Sequence, residues 1–196
     1  AHSDHIGGML AVINNFQPRE LWIGPVPPSE TLAHVLRRAR ERGTAVIQHF
    51  QGDNFEFGGT TVRVLAPPRA YLTSSQPRNN DSMVLHIAYR DSSILLEGDA
   101  EKRVEEQIAV QQPHADLLKI AHHGGLTSST PDFLQAVSPR MAVISVGDRN
   151  TFGHPRIEVL RRLEALRVPT YRTDLNGAVS FYLDGHNVTP DLAALH

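Results

Sequence analysis

The sequence predicts a single layered α/β domain, on the evidence of its length, its composition and its alternation of strand-like runs with helical stretches. The chain has 196 residues, of which 40% are hydrophobic. At roughly 150 residues per domain, this is enough for one domain with its own core. Abundant apolar residues argue against disorder, and no apolar run approaches the roughly 18 residues that a membrane-spanning helix needs.

Composition and charge exclude several functional classes. The formal net charge is −2, so the chain is not a generic basic nucleic-acid binder, and any phosphate contact must come from a local patch or a metal ion. Cysteine is absent, which rules out disulfides, thiolate zinc sites and a cysteine nucleophile. The chain carries 11 histidines, an unusually large number for its length, and they are the first indication of its chemistry.

The first third of the chain alternates helices and short strands. Residues 6–16 show a helical pattern that ends before Pro18. Ser29 is expected to cap a second helix that continues to Glu41 and is closed by Gly43. The predicted strands of this part span residues 21–24, 45–49 and 60–65.

The rest of the chain continues this alternation after two irregular stretches. Residues 51–59 are rich in turn-forming residues, and residues 67–82 are too long for a plain connection, which predicts a functional or mobile loop. Residues 83–89 and 93–98 are expected to pair as a hairpin. Further helices are predicted at 101–112, 131–137 and 155–166, further strands at 116–121, 141–146 and 178–183, and a tail over the last ten or so residues.

Three of the predicted strands run directly into side chains that can bind metals or move protons. Asp99 follows the first of them, His122 and His123 follow the second, and Asn150 and His154 lie in the loop after the third. In layered α/β folds, ligands bind beyond the carboxyl ends of strands. We therefore expect these side chains to converge on one site.

The opening segment, His2-Ser3-Asp4-His5-Ile6-Gly7-Gly8, belongs with these residues. It offers three potential ligands within four positions, followed by a glycine pair that suits a turn around a cation. Imidazole and carboxylate are the expected ligands of zinc or manganese where thiolates are absent. A polar surface turn also produces such a cluster by chance, but together with Asp99 and the His122-His123-Gly124 turn it favours a metal site.

These motifs resemble a known family. The opening segment looks like the later part of the metallo-β-lactamase superfamily signature, His-x-His-x-Asp-His. Further motifs follow in order at residues 79–85, 95–101, 118–124, 145–150, 153–155 and 172–178. They read Asn-Asn-Asp-Ser-Met-Val-Leu, Leu-Leu-Glu-Gly-Asp-Ala-Glu, Leu-Lys-Ile-Ala-His-His-Gly, Ser-Val-Gly-Asp-Arg-Asn, Gly-His-Pro and Arg-Thr-Asp-Leu-Asn-Gly-Ala. Over residues 1–183 the series is similar to the C-terminal domain of ComEC-type DNA-uptake proteins.

The resemblance implies a fold and a place within a larger protein. It implies an α/β domain with the αββα sandwich of the superfamily over residues 1–196, as a fragment of a larger, membrane-anchored protein. It also implies that the N-terminal strands of the sandwich are missing from this chain. The signature histidine expected two positions before His2 is not reached, and Gly125 stands where the family usually has serine, which removes a loop hydroxyl.

The resemblance further implies a centre of two divalent metal ions, zinc or manganese. The expected ligands are His2, Asp4, His5, Asp99 and His122. The expected catalytic residues are Asp4, Asp99 and His154. Asp99 would bridge the two ions, which would activate a water and clamp the attacked phosphorus. Strand alternation favours His122 over His123, which would lie in the turn and could equally orient its neighbour or bind metal.

The expected substrate-binding residues are His123, Ser128, Ser129, Asn80 and Asn150. Plain structural roles are available for several of them. Ser128 and Ser129 could cap the helix at 131–137, and Asn80 could form a turn. His154 precedes Pro155, expected at the first helical position, so it could cap helix 155–166 or, held neutral there, bind metal or a phosphate oxygen.

Two classes of function are compatible with this pattern. By resemblance, the domain is a metal-dependent phosphodiesterase that degrades the DNA strand left outside the cell, as an extracytoplasmic part of a membrane protein beside its own channel. We expect no stable oligomer, and weak DNA binding through the metals, a few arginines and the helix starts at Thr130 and His154. The alternatives are a non-catalytic module that guides DNA and keeps a vestigial metal site, or a hydrolase of another ester.

Overall fold

A mixed seven-stranded sheet forms the centre of the computed structural model, which describes residues 1–191. The helices are α1 (Ser3–Ile6), α2 (Met9–Phe16), α3 (Glu30–Glu41), α4 (Lys102–Ala109), α5 (Pro131–Val137), α6 (Ile157–Ala165) and α7 (Thr173–Asn176). The strands are β1 (Glu20–Ile23), β2 (Ala45–Gln48), β3 (Asn54–Phe57), β4 (Thr60–Ala66), β5 (Val84–Tyr89), β6 (Ser92–Leu96), β7 (Leu117–Lys119), β8 (Met141–Ile144), β9 (Thr170–Arg172), β10 (Ser180–Leu183) and β11 (Val188–Asp191).

The order of the strands in the central sheet decides where a site can form. The strands follow one another as β3-β4-β5-β6-β7-β8-β9, with antiparallel pairs from β3 to β6 and parallel pairs from β6 to β9. Leu117 and Leu118 point to opposite faces of β7 and are both buried, as is typical of parallel strands covered on both sides. The carboxyl ends of β6, β7, β8 and β9 therefore meet at one edge.

Two hydrophobic cores hold the layers together. The larger core packs α4, α5 and α6 against the central sheet through fully buried side chains such as Ile108, Phe133 and Leu163. The smaller core packs Ile13 of α2 and Val35 of α3 against the parallel pair β1–β2. Burial of apolar surface contributes about 25 cal/mol per Å², so these two faces supply most of the driving force for folding.

The small parallel sheet is joined to the edge of the central sheet by aromatic rings. Trp22 of β1 lies edge-on to Phe55 and Phe57 of β3, with ring centroids 4.7 Å and 5.7 Å apart. At the other end of the chain, β10 and β11 form an antiparallel hairpin. Within residues 1–191, no helix combines the length and the apolar character needed to cross a bilayer.

All eight predicted strands and all five predicted helices occur among the described residues, with ends shifted by up to three residues. Five elements were not predicted: α1 lies in the opening segment that was expected to be a turn, β3 lies inside the turn-rich stretch, and β9, α7 and β11 follow later. The predicted tail is wrong for Val188–Asp191, because these residues pair with β10. Residues 192–196 of that tail lie outside the described residues.

The start of α6 corrects another prediction. The helix begins at Ile157 with Arg156 as its N-cap, so Pro155 is not at the first helical position and His154 does not cap the helix. Pro155 packs instead against Gly124, where an added Cβ would lie 2.5 Å from the proline Cβ. The backbone N–H of Arg156 donates to the Gly124 carbonyl at 2.9 Å, which holds this segment outside the helix.

A buried carboxylate from α4 satisfies the amino-terminal end of α5. Glu105 accepts hydrogen bonds from the backbone N–H groups of Ser129 and Thr130 and from the Thr130 hydroxyl, the last two at 2.9 Å and 2.8 Å. Burial raises the pKa of Glu105, while the bonds from Thr130 and Ser129 oppose that shift. The position that could attract an external anion at this helix start is thus taken by the chain's own carboxylate.

We expect Glu105→Ala to lower the free energy of unfolding by about 2 kcal/mol, because it leaves buried N–H groups without an acceptor. The matched control is Glu106→Ala, whose side chain is exposed and pairs only with Lys102 at the surface. Its cost should stay within about 0.5 kcal/mol. Urea denaturation of the two variants measures both values, and equal losses would contradict the role given to Glu105.

Candidate metal centre

Four side chains from three separate segments converge at the carboxyl edge of the parallel strands. They are Asp4, His5, Asp99 and His123, and their ligand atoms lie within 4.8 Å of one another. His5 Nε2 lies 2.9 Å from Asp99 Oδ2. His123 Nε2 lies 3.3 Å from Asp4 Oδ2 and 3.7 Å from Asp99 Oδ1. We call this group the His/Asp cluster.

Asp99 reaches the cluster because β6 ends in a tight turn. Gly98 has a φ of +57°, and an added Cβ there would lie 2.8 Å from Ser82 Oγ, so only glycine fits without displacement. Ser82 Oγ accepts a hydrogen bond from the Asp99 backbone N–H at 2.9 Å. Lys119 Nζ donates to the Gly98 carbonyl at 3.0 Å from the neighbouring strand. These contacts fix the direction in which Asp99 leaves the sheet.

His123 is oriented by a bond behind its ring. After β7 the chain turns through two left-handed residues, His122 with φ +50° and His123 with φ +52°. His123 Nδ1 donates to the Ser145 carbonyl at 2.7 Å. Because a carbonyl can only accept, Nδ1 carries a proton, which leaves Nε2, directed at the carboxylates, as the nitrogen that can bind a metal. Metal-binding histidines are commonly oriented by this kind of second bond.

His122 points away from the cluster, contrary to the preference drawn from strand alternation. Its Nδ1 lies 3.2 Å from Thr127 Oγ1 and 3.9 Å from Glu101 Oε1. Alternation does not apply at this position, because β7 has already ended and the backbone has entered the left-handed turn. The structure therefore brings His123, rather than His122, together with Asp99.

The charges in the cluster support one another. Burial by itself raises the pKa of Asp99, but the hydrogen bond from His5 and the nearby cationic groups outweigh burial and lower that pKa to about 2. The same hydrogen bond raises the pKa of His5 above its ordinary value, and burial opposes it. Burial lowers the pKa of Lys119, while Asp99 and other carboxylates oppose that change. Asp99 is thus ionised at any physiological pH.

The donor set fits a divalent cation. Asp99 Oδ1 and His123 Nε2 are buried and find no hydrogen-bond partner within the described part of the chain. Leaving such atoms unpaired costs roughly 1–3 kcal/mol each, so a shared positive partner would remove an unfavourable term. Two imidazoles and two carboxylates are ligands suited to zinc or manganese. The His/Asp cluster therefore supports metal binding.

Two of the residues expected at the site lie elsewhere. His2 Nε2 is 3.2 Å from the Pro77 carbonyl, outside the cluster. Asn80 Oδ1 accepts from the Glu101 backbone N–H at 2.9 Å, and its amide donates to the Glu101 side chain at 3.3 Å. Asn80 therefore joins two loops beside the site and contacts none of the four cluster residues.

Ser128 and Ser129 are also not brought to the cluster. Both are fully buried. Ser128 Oγ donates to the Ala100 carbonyl at 2.7 Å, and the Ser129 backbone N–H donates to Glu105. These bonds close the loop against α4, so neither hydroxyl faces a cleft. The bonds resemble the capping role left open for them, although the acceptor is a distant carboxylate rather than a local side chain.

His154 and Asn150 do lie beside the cluster. Asn150 accepts from the His154 N–H at 3.0 Å and donates to the His154 carbonyl at 2.8 Å, which closes the loop after β8. Burial lowers the pKa of His154, and the neighbouring His122, Arg156 and His123 lower it further. A cleft of about 140 Å³ is lined by Asp4, His123, Val146, Gly147, Asn150, Phe152 and His154.

Sequence reasoning missed two polar residues that organise the site. Glu101 accepts hydrogen bonds from Asn79 at 3.1 Å and from Thr127 at 3.0 Å, and so joins three loops. Its partners lie 22 and 26 positions away, so no local pattern could reveal them. Lys119 could have been identified from the sequence, because a lysine at the end of an otherwise apolar strand must find a buried acceptor.

Comparison with known proteins adds sequence relatives. No family model matches the chain. The chain is 33% identical over 184 residues to ComE operon protein 3 of Bacillus subtilis, and 36% identical over 188 residues to the competence protein ComA of Neisseria gonorrhoeae. Each match covers 92% of this chain. The chain spans only 23% and 24% of the length of these two relatives.

Among solved structures, the chain is similar to CmlA, a diiron β-hydroxylase from Streptomyces venezuelae. A mutant of this hydroxylase matches with a TM-score of 0.57 and 15% identity, over 87% of this chain and 41% of the hydroxylase. The likeness covers most of this chain, and the predicted α/β fold class is confirmed. At this level of identity the likeness concerns the fold alone.

We expect His123→Ala to weaken zinc binding more strongly than the roughly 10- to 100-fold typical of losing a group that merely orients a ligand. His122→Ala is the matched control, because it alters the adjacent residue of the same turn and should change the affinity only a few-fold. Isothermal titration of each variant with Zn²⁺ measures both affinities. A larger loss of zinc affinity in His122→Ala would show that the metal ligand is His122, the residue that strand alternation favours.

Proposed function

The chain is a metallo-β-lactamase-type domain related to ComEC-type competence proteins, and on this basis we propose that it is a metal-dependent phosphodiesterase acting on DNA. The single observation that carries the proposal is the His/Asp cluster, with its unpaired Asp99 Oδ1 and His123 Nε2. A hydrolytic site needs such preorganised donors at the open edge of the sheet, beside a cleft that a substrate can enter.

The proposed cofactor is a pair of divalent ions, zinc or manganese, held by Asp4, His5, Asp99 and His123. When bound, such ions supply Lewis-acid stabilisation and lower the pKa of a bound water. Asp99 is the proposed shared ligand, because its two oxygens face different imidazoles, Oδ2 towards His5 and Oδ1 towards His123. The bond from His123 to Ser145 would keep that ring in the tautomer that binds metal.

His154 is the proposed acid–base or phosphate-contacting residue. It shares the cleft with Asp4 and His123. Its lowered pKa favours the neutral imidazole, and its Nδ1 is buried with no hydrogen-bond partner in the part of the chain that the structure describes. Asn150 hydrogen-bonds to both the N–H and the carbonyl of His154. These bonds fix the backbone position from which the ring would reach a substrate oxygen. His122 would support this position, since its ring lies 5.4 Å from that of His154.

The proposed setting is the extracytoplasmic face of a membrane, beside the channel part of a longer protein. The competence relatives support one part of this setting, because the chain matches about a quarter of their length and so corresponds to one part of a longer protein. A tethered domain meets a strand emerging from the channel at a high effective concentration and needs little affinity of its own. This agrees with the net charge of −2, which provides no broad attractive field for DNA.

We expect Asp99→Ala to abolish hydrolysis of labelled single- and double-stranded DNA across zinc and manganese, because the change removes the shared ligand. Asp91→Ala, at an exposed hairpin turn, serves as the control and should keep its activity. Degradation is followed on denaturing gels. Activity retained in Asp99→Ala would place the centre elsewhere, and activity on a carboxylic ester alone would favour another hydrolase of the same fold.

We expect the metal-free chain to bind single-stranded DNA no more tightly than about 10⁻⁶ M at physiological salt, and the affinity to rise when Zn²⁺ is added. Two helix-start contacts expected from the sequence are lost, because Glu105 occupies the helix start at Thr130 and the helix expected after His154 begins only at Ile157. Fluorescence anisotropy with and without chelator tests this. Tight DNA binding that does not depend on the metal would favour a non-catalytic module that guides DNA.

A further inference from the structure

An aromatic ring stands exposed beside the His/Asp cluster. Phe152 lies on the loop between β8 and α6, and 71% of its surface is accessible. Exposing a ring of this size forgoes roughly 1.5–3 kcal/mol of burial energy, and the ring has no place in either hydrophobic core. An exposed aromatic side chain at the mouth of a cleft indicates ligand binding more strongly than one on an open surface.

The Phe152 ring lies beside the ring of His154, on a loop closed by hydrogen bonds. Phe152 lies nearly parallel to the His154 ring, with an angle of 13° and a centroid separation of 6.2 Å. The loop beneath it is closed by Asn150, which hydrogen-bonds the His154 backbone and the Gly147 carbonyl. One face of Phe152 is therefore directed towards His154, and much of the rest of the ring is free to contact a ligand.

The cleft joins two unlike surfaces. Phe152 and Val146 contribute its apolar part, whereas Asp4 and His123 of the cluster contribute its metal-binding part. A nucleotide has the same division, since a flat apolar base is attached to an anionic phosphodiester. A base within a duplex has both faces covered by its neighbours, so only an unpaired base can present a face to an aromatic side chain.

We propose that Phe152 is a stacking platform for an unpaired nucleobase, next to the phosphodiester that enters the His/Asp cluster. The inference rests on the proposed function and specifies its substrate as a single-stranded nucleic acid. Stacking on aromatic rings tolerates any base, because every base has a π face, so the platform would hold a strand without reading its sequence. Such a contact also supplies affinity that the net charge of −2 does not.

The test uses the 196-residue chain loaded with Zn²⁺ and two single-stranded oligomers of equal length and charge. One carries a 2-aminopurine base, whose fluorescence falls on stacking, and the other is abasic throughout and carries a terminal dye for anisotropy. We expect Phe152→Ala to weaken binding of the base-containing oligomer about 5- to 100-fold, the range set by the loss of one base–aromatic stack. The preference for bases over the abasic backbone should disappear with it.

Two further variants separate stacking from general damage to the chain. Phe152→Trp keeps an aromatic face and should restore the preference for bases and the quenching of 2-aminopurine. Phe16→Ala removes another exposed aromatic ring, which lines neither the Phe152 cleft nor the cleft beside His5, and should leave both unchanged. Intact preference and quenching in Phe152→Ala would overturn the platform, while cleavage by the same variant would leave the proposed function standing. A wild-type chain that neither binds nor cleaves either oligomer would overturn both.

Discussion

The hydrogen bond between His5 and Asp99 is the contact on which the arrangement of the site depends. It joins residues 94 positions apart, and so fixes the first turn of the chain against the loop after β6. Its strength comes from charge, because it raises the pKa of His5 and helps to lower that of Asp99. Gly98 and Ser82 make it possible, since they let the backbone turn sharply enough to aim the carboxylate at the sheet edge.

The sequence predicted the layers well because their signals are local. Alternating apolar runs, the Ser29 cap and the Pro131 helix start are written in a few adjacent residues, and each element formed where it was expected. The elements that were missed have three or four residues each, and no more than one buried side chain among them; they are α1, β3, β9, α7 and β11. They are stabilised by pairing or packing with neighbours, which a single-sequence pattern does not contain.

Site residues were predicted less evenly, for a physical reason. Asp99 follows β6 directly after Gly98, so its place at the edge of the sheet could be inferred from the fold class. Asp4 and His5 instead precede the Gly7-Gly8 pair, and it was the local grouping of potential ligands that indicated a metal site there. The choice between His122 and His123 depended on two left-handed backbone conformations in a row, which non-glycine residues rarely adopt. Ser128 and Ser129 were expected to bind substrate, but the Ser129 backbone N–H donates to Glu105, 24 positions away. Identifying an acceptor at that distance requires the tertiary structure.

Three buried carboxylates around the site differ in how their charge is accommodated. Glu105 is buried but satisfied by three donors, so its cost is balanced within the fold. Glu97 is buried and finds no hydrogen-bond partner among residues 1–191, and burial, together with Glu105 nearby, raises its pKa well above the ordinary value, so protonation can remove its charge. Asp99 cannot take that route, because its pKa is lowered to about 2. An ionised carboxylate oxygen that is buried and finds no hydrogen-bond donor within residues 1–191 favours a bound cation, so the centre at Asp99, rather than the acids behind it, is suited to hold a metal ion.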